Sequence, residues 1–165
     1  MATESGAITI RPFSPEFTAK VIDLIVPIQR QEFGFSITAA DQPDLFEIPE
    51  FYQKKSGNFW IALAGEEVVG TISLVDLGHQ QAALRKMFVH KTVRGNGTAK
   101  RLLDTLLQWA RVKHLQEIYL GTTDRFLAAH RFYEKNGFEE ITPAELPETF
   151  LYMPVDTKFY RYVIR

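Results

Sequence analysis

Residues 84–113 read LRKMFVHKTVRGNGTAKRLLDTLLQWARVK, and the rest of the chain is organised around this stretch. A short apolar run at 87–89 leads into Arg-Gly-Asn-Gly-Thr-Ala at 94–99, where two glycines permit a tight turn. Apolar residues then recur at helical spacing, with polar and charged residues between them: Leu102, Leu103, Leu106, Leu107 and Ala110. The stretch therefore predicts a strand, a glycine turn and an amphipathic helix in succession.

The glycine turn has the features of an anion-binding site. The first amides of a helix have no intrahelical partner and point outward, and Gly95 and Gly97 place no Cβ between the backbone and a ligand. Lys100 and Arg101 fall in the first helical turn, where the helix dipole normally disfavours cations. A bound polyanion would offset that cost, so the turn predicts a site for a polyanion.

The spacing of the turn separates it from other phosphate-binding loops. A Walker A loop would end in Gly-Lys-Ser/Thr, and a dinucleotide fingerprint would need a third glycine where Lys100 stands. Arg94, Gly97 and Ala99 fit Arg-x-x-Gly-x-Ala. This pattern resembles the (Gln/Arg)-x-x-Gly-x-(Gly/Ala) pyrophosphate loop of GCN5-related N-acetyltransferases, the GNAT superfamily. On these six residues alone, an ordinary strand-to-helix turn with solvated cations stays open as an alternative.

Composition narrows the class of protein. A chain of 165 residues with 45% hydrophobic residues is expected to form one domain over residues 1–165. The net charge of −1 argues against a nucleic-acid binder, and the lack of cysteine excludes disulfides, thiolate metal sites and a cysteine nucleophile. The four histidines are scattered, so no metal site is expected. No apolar run reaches signal or membrane-spanning length, which favours a cytoplasmic protein without membrane contact.

The order of predicted elements indicates an α/β (α+β) fold with a mixed sheet. A glycine-containing loop at 65–67 predicts a hairpin, and the glycine turn lies inside one strand-helix-strand unit. Strands are expected at 8–13, 58–64, 68–75, 82–90, 117–121, 138–142 and 157–164. Helices are expected after Ser14 as cap and Pro15 as first helical residue, with a kink at Pro27; at about 44–55; from the glycine turn to 113; and at 125–136.

A second motif extends the resemblance to the GNAT superfamily. Residues 126–138, FLAAHRFYEKNGF, are similar to the family's A-x-x-F-Y-x-x-x-G-F helix after its fifth strand. The matching residues are Ala129, Phe132, Tyr133, Gly137 and Phe138. The resemblance implies a GNAT-like, mixed and bent central sheet of about seven strands flanked by about four helices. It also implies a gap between the strands at 82–90 and 116–121, and an N-acetyltransferase that uses acetyl-coenzyme A as cosubstrate.

The same resemblance implies which residues form the site. In the family, amides of the glycine loop bind the coenzyme A pyrophosphate, and the backbone of the fourth strand pairs with the pantetheine arm. Carried over, the cofactor-binding residues are Met87, Phe88, Val89, Arg94, Gly95, Asn96, Gly97, Thr98, Ala99, Lys100, Ala129 and Phe132.

Tyr133 matches the family tyrosine near the coenzyme sulfur and is the expected catalytic residue. A phenol with a pKa near 10 is neutral at pH 7 and can protonate a leaving thiolate. The alternative is a core aromatic that packs beside Ala129 and Phe126.

The general base is less clear, because many family members use a glutamate near the position where this chain has Ala83. The remaining candidates are a chain of waters, Asp76, His79 and Glu32. His130 has apolar neighbours on its helix, which favours a structural role.

The acceptor is expected to be a primary amine on a small molecule or peptide. The connector Gln31–Asp44 and the loop 143–157 would form the acceptor walls, although either could be a solvated loop. Two other classes remain open: an acyl-coenzyme A sensor without activity, and a nucleotide-binding module that uses the same glycine turn. The sequence also leaves a homodimer open.

Overall fold

The strand that precedes the glycine turn lies at the centre of a mixed seven-stranded sheet. The computed structural model describes residues 7–165, and its strands lie in the order β1-β2-β3-β4-β5-β7-β6. Neighbouring strands are antiparallel except β4 and β5, which are parallel. The strands are β1 Ile8–Pro12, β2 Asn58–Ala64, β3 Glu67–Gly78, β4 Gln81–Val89, β5 Glu117–Thr122, β6 Glu139–Ile141 and β7 Lys158–Val163.

Four α-helices accompany this sheet within residues 7–165. They are α1 Thr18–Pro27, α2 Ile48–Phe51, α3 Thr98–Val112 and α4 Leu127–Lys135. The expected architecture, a mixed sheet of seven strands with four helices, is confirmed. Short 3-10 turns also occur, at Pro15–Phe17, Ala39–Asp41, Pro43–Phe46, Lys91–Val93 and Pro143–Glu145.

The first helix differs from its prediction at its start. A 3-10 turn precedes α1, and the side chain of Ser14 forms no capping hydrogen bond. Pro27 is the last residue of α1, and the chain continues as a π-helical turn, Ile28–Glu32. Proline cannot donate to the carbonyl one turn earlier, so the hydrogen-bond pattern changes here.

The second predicted helix, at about 44–55, is shorter than expected. Only Ile48–Phe51 has α-helical geometry in this stretch, and a 3-10 turn at Pro43–Phe46 precedes it. Pro43 and Pro49 are each placed at the start of their short helix, where the missing amide is not needed. The stretch at about 44–55 is thus mostly irregular.

Helices cover both faces of the sheet. Leu102, Leu103 and Leu106 of α3 are fully buried in a cluster that also contains Tyr133 of α4. Residues of α1 and α2 form a second cluster on the opposite face, which includes Phe88 of β4 at its edge. Each buried leucine contributes about 2 kcal/mol relative to an exposed one, so the amphipathic pattern of α3 holds it on the sheet.

The predicted gap lies between β4 and β5. Their parallel pairing covers only Gln81–Ala83 against Glu117–Tyr119. Beyond Ala83 the two strands part, while β5 remains paired with β7 along its whole length. The gap therefore opens at the end of β4 that leads into the glycine loop. Over residues 7–165, none of the helices has the length and apolar character needed to cross a bilayer.

Candidate active site

A cavity of about 460 Å³ opens where β4 and β5 part. Its walls come from residues 84–89 of β4, residues 120–123 at the end of β5, one face of α4, one residue of the π-helical turn and two residues of the loop before β7. Of the residues expected at the site, the following line it: Met87, Phe88, Val89, Arg94, Ala99, Ala129, Phe132 and Tyr133. The cavity thus connects the glycine loop with the second motif.

The glycine loop lies at one end of this cavity. Gly95 and Gly97 have φ of 82° and 91°, the left-handed region that favours glycine, and Gly97 precedes the first residue of α3. The side chain of Asn96 accepts hydrogen bonds from the amide and the hydroxyl of Thr98, at 3.1 and 2.7 Å. Thr98 is therefore engaged in holding the loop, which leaves the next amides, of Ala99 and Lys100, without an intrahelical partner.

The positive charge at the loop is smaller than the sequence suggests. Arg94 forms an ion pair with Glu32 at 2.7 Å, and Lys100 pairs with Asp104 at 2.5 Å, one helical turn along α3. Arg94 Nε also donates to the carbonyl of Val89 at 2.9 Å, so this carbonyl is already occupied. Helical spacing could have shown the pair with Asp104, whereas the pair with Glu32 depends on the tertiary fold.

A β-bulge reshapes β4 in the middle of the cavity wall. Thr71 pairs with Phe88 and Ser73 with Arg85, so β4 has one residue more than β3 over this interval. Lys86, at the bulge, has φ of 56°, which is uncommon for a residue with a side chain. Thr71 and Ser73 donate their hydroxyl hydrogens to the carbonyls of Lys86 and Arg85, both at 2.7 Å, and so hold the bulge in place.

The extra residue brings the side chain of Lys86 into a buried polar network that the sequence did not reveal. Its Nζ donates to Gln42 Oε1 at 2.6 Å and lies 3.5 Å from Asp44 Oδ2. Asp44 also accepts a hydrogen bond from the hydroxyl of Tyr52 at 2.5 Å. Burial lowers the pKa of Lys86, while the neighbouring Asp44 carboxylate opposes this effect. The network fixes the connector Gln31–Asp44 against β4.

We expect Lys86→Met to lower the free energy of unfolding by about 3 kcal/mol, because the substitution leaves Asp44 charged and poorly solvated. Urea unfolding measures the change. The double variant Asp44→Asn/Lys86→Met should recover most of the loss, since it buries no charge. Lys20→Met is the matched control, because Lys20 pairs with Glu67 at the surface and should matter little. A loss of less than about 0.5 kcal/mol in Lys86→Met would contradict the prediction.

Tyr133 lies between the core and the cavity. Its ring packs against Phe138 and Tyr160 with centroid distances of 5.4 and 6.0 Å, and it also lines the cavity. Burial raises the pKa of Tyr133 well above its ordinary value near 10. The phenol therefore stays protonated across the physiological range and can donate a hydrogen bond into the cavity, although the same shift makes it a weaker acid. Packing and chemistry, the two alternatives from the sequence, are compatible at this position.

The base candidates from the sequence are not among the residues that line the cavity, although Glu32 is paired with Arg94, which does line it. Asp76 accepts hydrogen bonds from the hydroxyl of Ser56 and from the amide of Gly78. His79 lies in the two-residue turn between β3 and β4, with φ of 54°, and Glu32 is bound to Arg94. His130 is buried, with Nε2 2.8 Å from the carbonyl of Thr123, in line with the structural role expected for it.

The loop 143–157 contributes the negative charge of Asp156 to the cavity. The sequence indicates this loop only as a whole, as one acceptor wall. Among the residues that the structure describes, Asp156 is the acidic side chain that lines the cavity. Burial raises its pKa, against the opposing effects of the Met153 amide and of Arg85. A Cβ at Gly121 of β5 would lie 2.5 Å from Asp156 Oδ2, so glycine is required for this close approach.

Arg85 and the connector also contribute to the walls of the cavity. Arg85 Nη2 donates to the carbonyl of Leu151 at 2.5 Å, and its guanidinium lies 5.6 Å from the ring centre of Phe150. The connector supplies Phe33, whose ring lies 3.9 Å from that of Phe126. Both expected walls thus reach the cavity. Arg85 was missed because alternation along a strand gives no sign of a bulge.

Comparisons with known proteins agree with this geometry. The model of the acetyltransferase (GNAT) family matches residues 22–138. An acetyltransferase of GNAT family from Staphylococcus aureus superposes with a TM-score of 0.92 at 38% identity, over 96% of this chain and 99% of that chain. An acetyltransferase from Streptococcus agalactiae gives 0.88 at 33% identity, over 94% and 98%.

A curated relative, N-acetylaspartate synthetase of Xenopus tropicalis, is 34% identical over 66% of this chain but only 41% of its own length. The chain thus spans about two fifths of that relative. The structural relatives are matched over nearly their whole length. The family model covers most of this chain, from within α1 to the end of the second motif. On this evidence the chain belongs to the GNAT family of acetyltransferases.

Proposed function

We propose that the protein transfers an acetyl group from acetyl-coenzyme A to the nitrogen of a primary amine. One observation carries the proposal: a single cavity joins the glycine loop, which suits a pyrophosphate, to the phenol of Tyr133, which suits a leaving thiolate. The family uses acetyl-coenzyme A. The name of the curated relative refers to an N-acetylated amino acid, which supports nitrogen as the acceptor atom.

The residues at the loop fit the cosubstrate. Around Gly95 and Gly97 no atom lies within 4 Å of where a Cβ would be, so the backbone is open to a ligand. The amides of Ala99 and Lys100 would bind pyrophosphate oxygens at the positive end of α3. Along β4, the carbonyl of Val89 is bound to Arg94, so the unpaired edge nearer to Met87 is the position to hold the pantetheine arm.

At the other end, the side chains support direct attack by the amine. Acetyl-coenzyme A supplies a thioester, whose C–S bond breaks as the amine nitrogen bonds to the carbonyl carbon. Tyr133 donates its proton to the departing sulfur and is reprotonated from solvent. The ammonium of the acceptor loses its proton to water or to Asp156. The chain has no cysteine, so the acetyl group cannot pass through a cysteinyl enzyme.

A thiol-release assay tests the proposal. Acetyl-coenzyme A is offered with polyamines, amino acids, aminoglycosides or peptides, and release of free coenzyme A is followed with a thiol reagent. We expect release that depends on one class of amine. Calorimetric binding of acetyl-coenzyme A without release from any amine would favour a sensor. Stronger thermal stabilisation by NAD or ATP than by coenzyme A would favour a nucleotide-binding module.

A further inference from the structure

We infer that the acceptor is a zwitterion, a primary amine with a carboxylate next to it as in an α-amino acid. Its carboxylate binds Arg85 and its ammonium binds Asp156. The inference rests on the proposed function and assigns a substrate class to the same cavity.

Arg85 has N–H donors available to bind a carboxylate. A guanidinium carries five N–H donors in a planar fork, and one of them is held by the carbonyl of Leu151. The guanidinium also lies over the ring of Phe150, within the range of a cation–π contact. Within residues 7–165 no carboxylate lies at ion-pair distance from Arg85, in contrast to Lys86 and Arg94, whose partners are Asp44 and Glu32.

Asp156 has the complementary charge. Its Oδ2 accepts a hydrogen bond from the amide of Met153 at 3.0 Å, which orients the carboxylate. Asp156 and Arg85 line the same cavity, and the charge of Arg85 lowers the pKa of Asp156, yet the two form no ion pair among residues 7–165. A cation and an anion that share one cavity without pairing present two charged ends to a ligand, and an amino acid carries the two matching charges.

The positions of the two residues also place the acceptor across the gap between β4 and β5. Arg85 belongs to β4, and Asp156 lies against Gly121 of β5, so an acceptor held by both spans the parted strands. Tyr133 lines the same cavity. Phe33 and Val155 add apolar surface to the walls, which would receive an apolar side chain, and Arg125 lines the cavity beside Phe33.

Matched acceptor pairs test the inference. L-leucine is compared with isoamylamine, and L-phenylalanine with phenethylamine, so that each pair differs in the carboxylate. We expect wild-type kcat/KM, measured by thiol release, to favour the amino acid by roughly 30-fold or more, the size of a desolvated charge pair. Arg85→Met should lose this preference, because kcat/KM for the amino acid should fall much further than kcat/KM for the plain amine. Asp156→Asn should lower kcat/KM for both members of a pair.

The control is Arg11→Met. Arg11 also stacks on a phenylalanine, 5.3 Å from the centre of Phe17, and donates to a backbone carbonyl, but it lies outside the cavity. It should keep the wild-type preference. Arg85→Lys should keep part of the preference because the substitution retains the positive charge.

Four other outcomes would contradict the inference, one of its residue roles or the proposed function. Equal losses for both members of a pair in Arg85→Met would show that Arg85 merely supports the loop, and would overturn its role. A wild-type preference for the plain amine would overturn the inference and leave the proposed function intact. Unchanged kcat/KM in Asp156→Asn would overturn the role of Asp156. Binding of acetyl-coenzyme A without thiol release from any acceptor would refute the proposed function itself, and the inference with it.

Discussion

Replacing Gly97 with glutamate is expected to reduce the affinity for acetyl-coenzyme A by roughly 100-fold or more. The new carboxylate would stand beside the pyrophosphate, where each close pair of like charges costs about 1–4 kcal/mol. A side chain at φ of 91° would also strain the backbone by about 1–2 kcal/mol and disturb the start of α3. Isothermal titration calorimetry of the wild-type and variant proteins measures the loss.

Two further variants separate the causes of that loss. Gly65→Glu introduces the same charge at another left-handed glycine, with φ of 64° and open space around its Cβ, in the hairpin between β2 and β3. It should bind acetyl-coenzyme A like the wild type. Gly97→Ala adds the strain without the charge, so it should have an intermediate affinity. Unchanged binding in Gly97→Glu would refute the assignment of this loop to the pyrophosphate.

The second large effect is expected for Tyr133→Phe. The substitution removes the hydroxyl and keeps the ring, so the contacts with Phe138 and Tyr160 remain. If the phenol protonates the sulfur only as the C–S bond breaks, kcat and kcat/KM should fall together, by roughly 10²-fold or more. Calorimetric affinity for acetyl-coenzyme A should stay close to that of the wild type, because the hydroxyl acts after binding.

Tyr160→Phe is the matched control for Tyr133→Phe. It removes a tyrosine hydroxyl from the same aromatic cluster, one that donates to Glu134 at 2.6 Å. Its turnover should remain within a few-fold of the wild type. Because burial raises the pKa of Tyr133, its protonated form persists below pH 10, and Tyr133→Phe should lower the pH–rate profile without shifting its acid limb. Wild-type turnover in Tyr133→Phe would show that the ring serves packing alone.

Local patterns in the sequence predicted the elements that build the cavity. The leucines of α3 become buried because their spacing puts them on one helical face. Gly97 adopts a left-handed conformation at the start of that helix, as the glycine turn required. The hairpin at Gly65 follows from the same local chemistry. These features depend on residues a few positions apart, which is the range over which a single sequence is informative.

The contacts of Arg85 and Lys86 could not be predicted in this way, because they join distant residues. Lys86 meets Gln42 across 44 positions, and Arg85 meets Leu151 across 66. Arg85 and Lys86 both lie at the bulge in β4, and a bulge cannot be recognised from the alternation of apolar residues along a strand. The helix predicted at about 44–55 is also shorter in the structure, because a 3-10 turn at Pro43–Phe46 takes the place of its first residues and α2 begins only at Ile48.

The short pairing between β4 and β5 has a consequence for the whole molecule. Three residues on each strand join the half-sheet β1–β4 to the half-sheet β5–β7, so few backbone hydrogen bonds couple the two blocks directly. A ligand lying along the open edges would tie them together like an additional strand. Bound cosubstrate would then hold the two half-sheets together. The free energy of unfolding would therefore rise with the cosubstrate concentration, because a ligand that binds only the folded state stabilises it.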